Sequence, residues 1–140
     1  MMFSLKTLLV SVVAAAAVSA QEAIRFGSVN IEPSTLTNGS SFTVTYNSTL
    51  ARYKPLSVDF LIQGTRANGD PTAYISLSRH DYGANQTILQ SNETTPDIAG
   101  ALGDDIHGVY LWAFITYPYG TSSGSSVKLI GGTSAVAALE

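Results

Sequence analysis

The stretch Gly108-Val109-Tyr110-Leu111-Trp112-Ala113-Phe114-Ile115-Thr116-Tyr117-Pro118-Tyr119-Gly120 contains the only tryptophan of the chain and its longest apolar run outside the N-terminus. Its middle, residues 109–117, is rich in β-branched and aromatic residues and is followed by a proline and a glycine. This composition between chain-breaking residues predicts a β-strand. We expect this strand to lie at the centre of the fold, with the other strands packed around it.

The predicted strand is apolar on both of its alternating faces. The two sets are Val109, Leu111, Ala113 and Ile115, and Tyr110, Trp112 and Phe114. Because only one face of each sheet in a β-sandwich contacts the core, the second face must be either covered by another segment or exposed. An exposed apolar face of this kind is typical of a binding surface. The large side chain of Trp112 favours the set that contains it as the buried one.

The strands beside this one are expected to be residues 56–63 and 127–130, so that Leu61 and Ile130 extend the outward patch. The candidate binding residues are Tyr110, Trp112, Phe114, Leu61 and Ile130. They predict an extracellular protein as the partner. A polysaccharide is the alternative, because aromatic rings offer flat apolar faces on which sugars stack.

Alternation of apolar and polar residues predicts further strands. In residues 41–47 the side chains of Phe42, Val44 and Tyr46 share one face, and in residues 56–63 those of Val58, Phe60 and Ile62 do so. In residues 72–79 we expect Ala73, Ile75 and Leu77 to point inward and Tyr74, Ser76 and Ser78 outward.

The remaining elements are less regular in sequence. Residues 23–31 predict a strand with a kink near Ser28, and residues 85–91 predict a polar edge strand. Residues 98–102 predict one helical turn, and residues 80–84 predict a loop. About seven short strands without a convincing helix predict an all-β fold. An antiparallel β-sandwich of the immunoglobulin or fibronectin type fits best, and a small barrel is the alternative.

The N-terminus predicts secretion. Lys6 precedes an apolar segment at residues 8–17, and small residues stand at positions 18–20, where a signal peptidase cleaves. We therefore expect a signal peptide at residues 1–20, a sandwich domain at residues 21–132 and a C-terminal tail at residues 133–140. The apolar segment is too short to span a membrane, and membrane insertion is not expected.

The composition excludes several classes of function. The formal net charge is −3, and removal of Lys6 would make it more negative by one, so nucleic-acid binding is not expected. The chain has no cysteine, which excludes disulfides and thiol catalysis.

Four Asn-x-Ser/Thr sequons begin at Asn38, Asn47, Asn85 and Asn92. In a secreted chain these are acceptors for N-linked glycans, and we expect at least two of them to be occupied. Glycans require water, so the four positions mark exposed surface. None of them lies near residues 109–117 in sequence, which leaves the central sheet open to a partner.

The sequence predicts no catalytic, cofactor or metal site, and we do not expect an enzyme. Two pairings of histidine with carboxylate occur, His80-Asp81 and Asp104-Asp105-Ile106-His107, but a site needs several such groups to converge. No Gly-x-Ser-x-Gly motif is present. A pair of carboxylates for glycoside cleavage among Asp59, Asp70, Asp81 and Asp97 is left open, although nothing in their setting favours it.

The segment Ile31-Glu32-Pro33-Ser34-Thr35-Leu36-Thr37-Asn38-Gly39-Ser40-Ser41-Phe42-Thr43-Val44 is similar to the first hairpin of immunoglobulin-like domains, and the chain resembles small secreted fungal proteins of that type. Residues 56–64 and the late apolar strand more loosely resemble the necrosis-inducing secreted effector family of plant-associated fungi. That resemblance implies a non-catalytic effector that binds a plant immune receptor-like kinase. It identifies no functional residue.

Overall fold

The computed structural model of the protein describes residues 24–122 and 125–140, with side-chain surroundings given for residues 24–120 and 127–140. The predicted signal peptide at residues 1–20 lies outside the described residues. Within them the chain forms eight strands and the short helix α1 (Ile98–Leu102), besides a helical stretch at residues 24–26. The strands are β1 (Ser28–Glu32), β2 (Thr35–Leu36), β3 (Ser41–Asn47), β4 (Ser57–Arg66), β5 (Pro71–Asp81), β6 (Ile88–Thr94), β7 (Ile106–Ser122) and β8 (Ser125–Leu139).

The strands form two sheets, which confirms the all-β prediction. One sheet has three strands in the order β1-β3-β6, and the other has five in the order β2-β8-β7-β4-β5. Every pairing is antiparallel except the two-residue pairing of β2 with β8. The predicted strand at residues 109–117 lies within β7, which has β4 on one side and β8 on the other.

The core lies between the two sheets. In β3 the predicted alternation is confirmed, since Phe42, Val44 and Tyr46 are buried and the residues between them are half-buried. The five-stranded sheet contributes the buried residues Val58, Phe60, Ile62, Val109, Leu111, Ala113 and Ile115. Burial of these apolar side chains from both sheets is the main stabilising contribution.

Tyr46 is the largest side chain that is fully buried in this core. Its hydroxyl group donates a hydrogen bond to the carbonyl oxygen of Phe26, with an O···O distance of 2.6 Å. Burial, and to a smaller degree the nearby Tyr82, raise the pKa of the Tyr46 hydroxyl well above its usual range. The hydroxyl therefore stays protonated, which it must do to donate this bond.

Polar groups close the edge of the core where β5 of the large sheet faces β6 of the small one. The hydroxyl groups of Ser78 and Ser91 both donate to the carboxylate of Glu93, and Ser78 Oγ lies 2.9 Å from His80 Nε2. These bonds join the two sheets, because Ser78 belongs to β5 and Glu93 to β6. The charge of Glu93 is thus matched by hydrogen-bond donors at a half-buried position.

The two ends of the domain differ from the sequence prediction. Residues 24–26 are helical and the first strand begins only at Ser28, so the strand predicted from residue 23 is wrong over its first half. Residues 133–139 are not a tail, because β8 continues to Leu139, paired with β7 as far as Ala137 and with β2 at Ala138 and Leu139. The small residues of this segment pair because β7 is long and its edge offers unpaired backbone groups.

The predictions for β5 are partly wrong for a related reason. Residues 80 and 81, expected in a loop, extend β5 and pair with the first residues of β4. A register shift between Phe60 and Leu61 adds one residue to β5, so Ser78 pairs with Phe60 and points inward, not outward. Ala73, expected inward, is exposed, whereas Ile75 and Leu77 pack against the core as predicted.

The polar edge strand is confirmed but shifted toward the C-terminus, since β6 spans Ile88–Thr94 at the edge of the small sheet. The predicted helical turn is also confirmed as α1, and the side chain of Asp97 caps it by accepting the backbone N–H of Gly100 at 3.0 Å.

Candidate functional site

The outward side of the five-stranded sheet carries large apolar side chains. Because Val109, Leu111 and Ile115 of β7 point into the core, the residues between them point outward. Partners in the strand register share a face, so neighbouring strands add to this side. We call this set the apolar face; its members are Leu61, Tyr74, Tyr110, Trp112, Phe114, Ile130 and Val136.

The members at the rim of the apolar face are exposed and the central ones are half-buried. The exposed fractions are 72% for Ile130, 69% for Val136, 47% for Tyr74 and 38% for Tyr110. Leu61, Trp112 and Phe114 in the middle are half-buried. No described segment of the chain lies over the rim residues, whose exposure would otherwise be low. The alternative that another segment covers this face is therefore wrong as far as the described residues are concerned.

Stacked aromatic rings form the centre of the apolar face. The rings of Trp112 and Phe114 are parallel within 2°, with centroids 5.3 Å apart, and the ring of Tyr74 meets Phe114 edge-on at 5.5 Å. Trp112 Nε1 donates a hydrogen bond to Gln63 Oε1 at 3.0 Å. The rings are thus held in place before any partner arrives, which lowers the entropy cost of binding.

Gly132 of β8 makes this arrangement of rings possible. It pairs with Phe114, and a Cβ atom at this position would lie 2.7 Å from the Phe114 ring and 3.2 Å from the Trp112 ring. The rings therefore occupy the space that a side chain at residue 132 would need. Glycine in a strand often marks such a close approach of a neighbouring group.

A shallow depression of about 330 Å³ lies beside the rings. It is lined by Asp59, Leu61, Ser76, Phe114 and Ile130. One side of the depression is charged, because Asp59 Oδ2 lies 3.8 Å from Arg79 Nη1. The depression combines an apolar floor with a few polar groups, as binding sites generally do.

Charges stand at the two lateral edges of the apolar face and balance one another. Asp59, Arg79 and Asp81 lie toward β5, and Lys128 lies on β8. Asp81 and Lys128 are both exposed. The face thus has no net charge of its own, and neither an anionic nor a cationic partner is favoured by long-range attraction.

The outward side of the three-stranded sheet has the opposite character. Its paired residues are Ser28, Asn30, Glu32, Ser41, Thr43, Thr45, Asn47, Ile88, Gln90, Asn92 and Thr94, among which Ile88 is the one large apolar side chain. Two of the four sequon asparagines, Asn47 and Asn92, stand here. Asn38 and Asn85 are exposed in loops. The molecule therefore has one polar and one apolar outer side, with two of the sequons on the polar one.

The two histidines do not come together. His80 pairs with Val58 at one end of β4, whereas His107 lies next to the pairing of Thr65 with Gly108 at the other end. Seven residues of strand separate these positions, which corresponds to roughly 23 Å. Within residues 24–122 and 125–140, no group of three or more His, Asp or Glu side chains is placed to hold a metal ion.

All five binding residues predicted from the sequence, Leu61, Tyr110, Trp112, Phe114 and Ile130, lie on the apolar face. The expectation that Trp112 is buried in the core was wrong, because the small Ala113 and the aliphatic residues beside it fill that space. Tyr74 and Val136 were missed as members of the face. The alternation that placed Tyr74 outward was a usable signal, but nothing in the small-residue segment around Val136 predicted a paired strand.

No model of a known protein family matches the chain, and no curated protein is similar enough to it to count as a relative. The apolar face is therefore interpreted from its own geometry and chemistry. Among the described residues, no helix is long and apolar enough to cross a membrane.

Proposed function

We propose that the chain is a secreted, non-catalytic binding module of the immunoglobulin-like type that docks an extracellular protein on its apolar face. The observation that carries the proposal is the exposure of Ile130, Val136, Tyr74 and Tyr110 on one side of a sheet whose other side is the core. Contiguous exposed apolar side chains are uncommon on monomeric proteins and typically mark an interaction site.

The strand order supports the immunoglobulin-like type. In an immunoglobulin domain the first, second, fourth and fifth strands share one sheet, and the third, sixth and seventh share the other, with added strands beside the third in variable domains. The order β1-β3-β6 with β8-β7-β4-β5 matches this pattern, with β5 as the strand added beside the third, once the two-residue β2 is counted as a continuation of β1 on the opposite sheet. The fourth strand of the immunoglobulin sheet has no counterpart among the described strands. The loops between β3 and β4, β5 and β6, and β6 and β7 each cross between sheets, as this topology requires.

The arrangement of the rings favours a protein over a polysaccharide. A sugar-stacking platform presents broad ring faces to the solvent. Here Trp112 and Phe114 each use one ring face on the other, and the edge of Tyr74 meets Phe114. The two most exposed members of the face are the aliphatic Ile130 and Val136, which offer no ring for a sugar and suit a protein interface.

The sequons support the orientation of docking. Asn47 and Asn92 stand on the polar sheet, on the side of the sandwich opposite to the apolar face. Glycans at these positions would extend away from a partner bound to the apolar face. The predicted signal peptide supplies the secretory route on which such glycans are attached.

Two exposed positions test the proposal without disturbing the core. Ile130→Asp and Val136→Asp place charges at the two most exposed positions of the apolar face, where a bound partner would have to desolvate an unpaired charge. We expect each variant to lose at least about ten-fold in affinity for a protein captured from extracellular host extract, which corresponds to about 1.4 kcal/mol. The resemblance to plant-associated effectors makes a plant extract the first source to probe.

The matched control is Gln90→Asp on the polar sheet, which adds the same charge at an exposed strand position. It should bind like the unaltered protein. Equal binding by all variants would contradict docking on the apolar face. Retention on chitin, glucan or cellulose that Trp112→Ala abolishes, without capture of any protein, would favour a carbohydrate-binding module instead.

A further inference from the structure

We propose that the apolar face also binds a second copy of this chain, giving a two-fold symmetric dimer in which β8 of one copy lies over β5 of the other. The inference rests on the proposed function to the extent that both assign protein docking to this face. The dimer proposal goes beyond the proposed function because it names a second copy of this chain as the protein that docks there. Two charged and two apolar residues hold positions in the strand register that match one another in such a dimer.

A two-fold axis parallel to the strands, running between β7 and β4, defines the geometry. Rotation about this axis places the apolar face of the second copy against that of the first. It reverses the order of the strands across the sheet and leaves each residue at the same position along the strand direction. The order β8-β7-β4-β5 of one copy therefore meets the order β5-β4-β7-β8 of the other. A two-fold interface of this kind must be self-complementary, with each contact made twice.

At one end of the sheet the contact is apolar. The register runs from Tyr74 through Gln63 and Tyr110 to Val136, so these four residues stand at one height. Under the two-fold rotation Val136 of β8 meets Tyr74 of β5 in the second copy. Both side chains are exposed in the single chain. The dimer would bury this pair at two symmetry-related places, which removes apolar surface from water.

At the other end the contact is ionic. The register runs from Asp81 through Ser57 and Thr116 to Ile130, and Lys128 lies one outward position beyond Ile130. Rotation brings Lys128 of β8 within one pair of strand positions, roughly 7 Å along the strand, of Asp81 in the second copy. The flexible stem of a lysine side chain spans such a distance. Lys128 and Asp81 lie at the same end of the sheet but on its opposite lateral edges. The two-fold rotation therefore brings unlike charges together at both edges of the dimer.

The net charge of the face does not oppose self-association. Asp59, Arg79, Asp81 and Lys128 sum to zero, so two identical faces do not repel one another as two acidic faces would. The sequon asparagines Asn47 and Asn92 lie on the opposite side of each copy, so glycans there would not obstruct the contact.

The size of the face sets the expected strength. Four strands about 4.8 Å apart and four outward positions about 6.7 Å apart cover roughly 20 Å by 27 Å. The area of this rectangle is less than the roughly 800 Å² that each partner buries in an interface of standard size. We therefore expect a weak dimer with a dissociation constant on the order of 10–100 μM.

Charge reversal with rescue tests the dimer by sedimentation equilibrium of the secreted, processed protein from low micromolar to about 1 mM. The unaltered protein should shift from monomer to dimer over this range. Lys128→Glu and Asp81→Lys should each weaken dimerisation at least about five-fold, because each creates two like-charge contacts. The double variant, with both changes in one chain, should recover the affinity of the unaltered protein. Lys54→Glu, an exposed charge reversal in the loop between β3 and β4, is the control and should have no effect.

Two results would overturn the dimer. One is a protein that remains monomeric throughout the concentration range. The other is a dimer that the two single reversals leave unchanged or that the double variant fails to restore, which would place the contact elsewhere. Either result leaves the proposed function standing if Ile130→Asp still removes the captured extracellular protein. Loss of that effect as well would count against both.

Discussion

Replacement of Phe60 by alanine is expected to lower the free energy of unfolding by about 3–5 kcal/mol, the range observed for removal of buried phenylalanine side chains. Phe60 of β4 is fully buried between the sheets and points toward the core from the strand next to β7. Its removal leaves a cavity whose lining loses contacts that the sandwich cannot replace by collapse. Urea unfolding followed by circular dichroism gives the change, provided that the slope against urea stays constant.

The matched control is Phe114→Ala, the same substitution one strand away on the opposite side of the same sheet. Phe114 is half-buried, and its ring stacks on Trp112 and meets Tyr74 edge-on, on the side of the sheet that faces away from the core. We expect a loss of about 1–2 kcal/mol, since only part of its surface leaves water on folding. If Phe114→Ala destabilised the protein as much as Phe60→Ala, the assignment of the inner and outer sides would be wrong.

Substitution of Gly132 by valine is expected to displace the aromatic rings of the apolar face. The new Cβ atom would lie within 3 Å of the Phe114 ring, so the ring must turn out toward solvent, and Trp112 loses its stacking partner. Overpacking of this kind costs about 1–3 kcal/mol. Because Trp112 is the only tryptophan, a red shift of the fluorescence emission and loss of its near-UV circular dichroism report the change directly.

Gly108→Val is the control for this prediction. Gly108 lies on β7 with its outward direction open, because nothing lies within 4 Å of a Cβ atom added there. We expect unchanged tryptophan fluorescence and little change in stability. An unshifted emission maximum in Gly132→Val would show that the rings do not pack over Gly132.

The regular part of the fold was predictable because a strand with one buried and one solvent-exposed side alternates apolar and polar residues. Phe42, Val44 and Tyr46 alternate with threonines, and the structure places these three in the core and the threonines outside. The apolar run at residues 109–117 was predictable as a central strand because it is apolar on both alternating faces. In the structure β4 and β8 pair with its two edges. In these segments local pattern and tertiary environment agree.

The remaining features depend on contacts that no local pattern encodes. The strand at Val136 consists of small residues with little strand preference, and it forms because β7 presents an unpaired edge. The inward turn of Ser78 follows from one extra residue in β5, and a single-residue shift reverses every side chain beyond it. The outward position of Trp112 reflects core volume, since Ala113 and its aliphatic neighbours leave no room for an indole.

The candidate site was predictable along the central strand and at Leu61 and Ile130 beside it, but not at Tyr74 and Val136. Tyr110, Trp112 and Phe114 form one alternating set of the central strand, and Leu61 follows once residues 56–63 are placed beside it. Which set faces outward depended on packing volumes in three dimensions. The contribution of β5 and of the distal half of β8 depended on register, which the sequence leaves open when small residues or a bulge intervene.

Hydroxyl-radical footprinting read out by mass spectrometry tests the apolar face as a docking surface most directly. The labelling of Trp112, Ile130 and Val136 is compared in dilute protein and in the presence of a captured partner or at high protein concentration. We predict that labelling of these residues falls by at least about half, since an interface core excludes water, while labelling of Leu50 and Ile88, exposed elsewhere, stays constant. Protection of Leu50 and Ile88 with unchanged labelling of Trp112, Ile130 and Val136 would contradict the account.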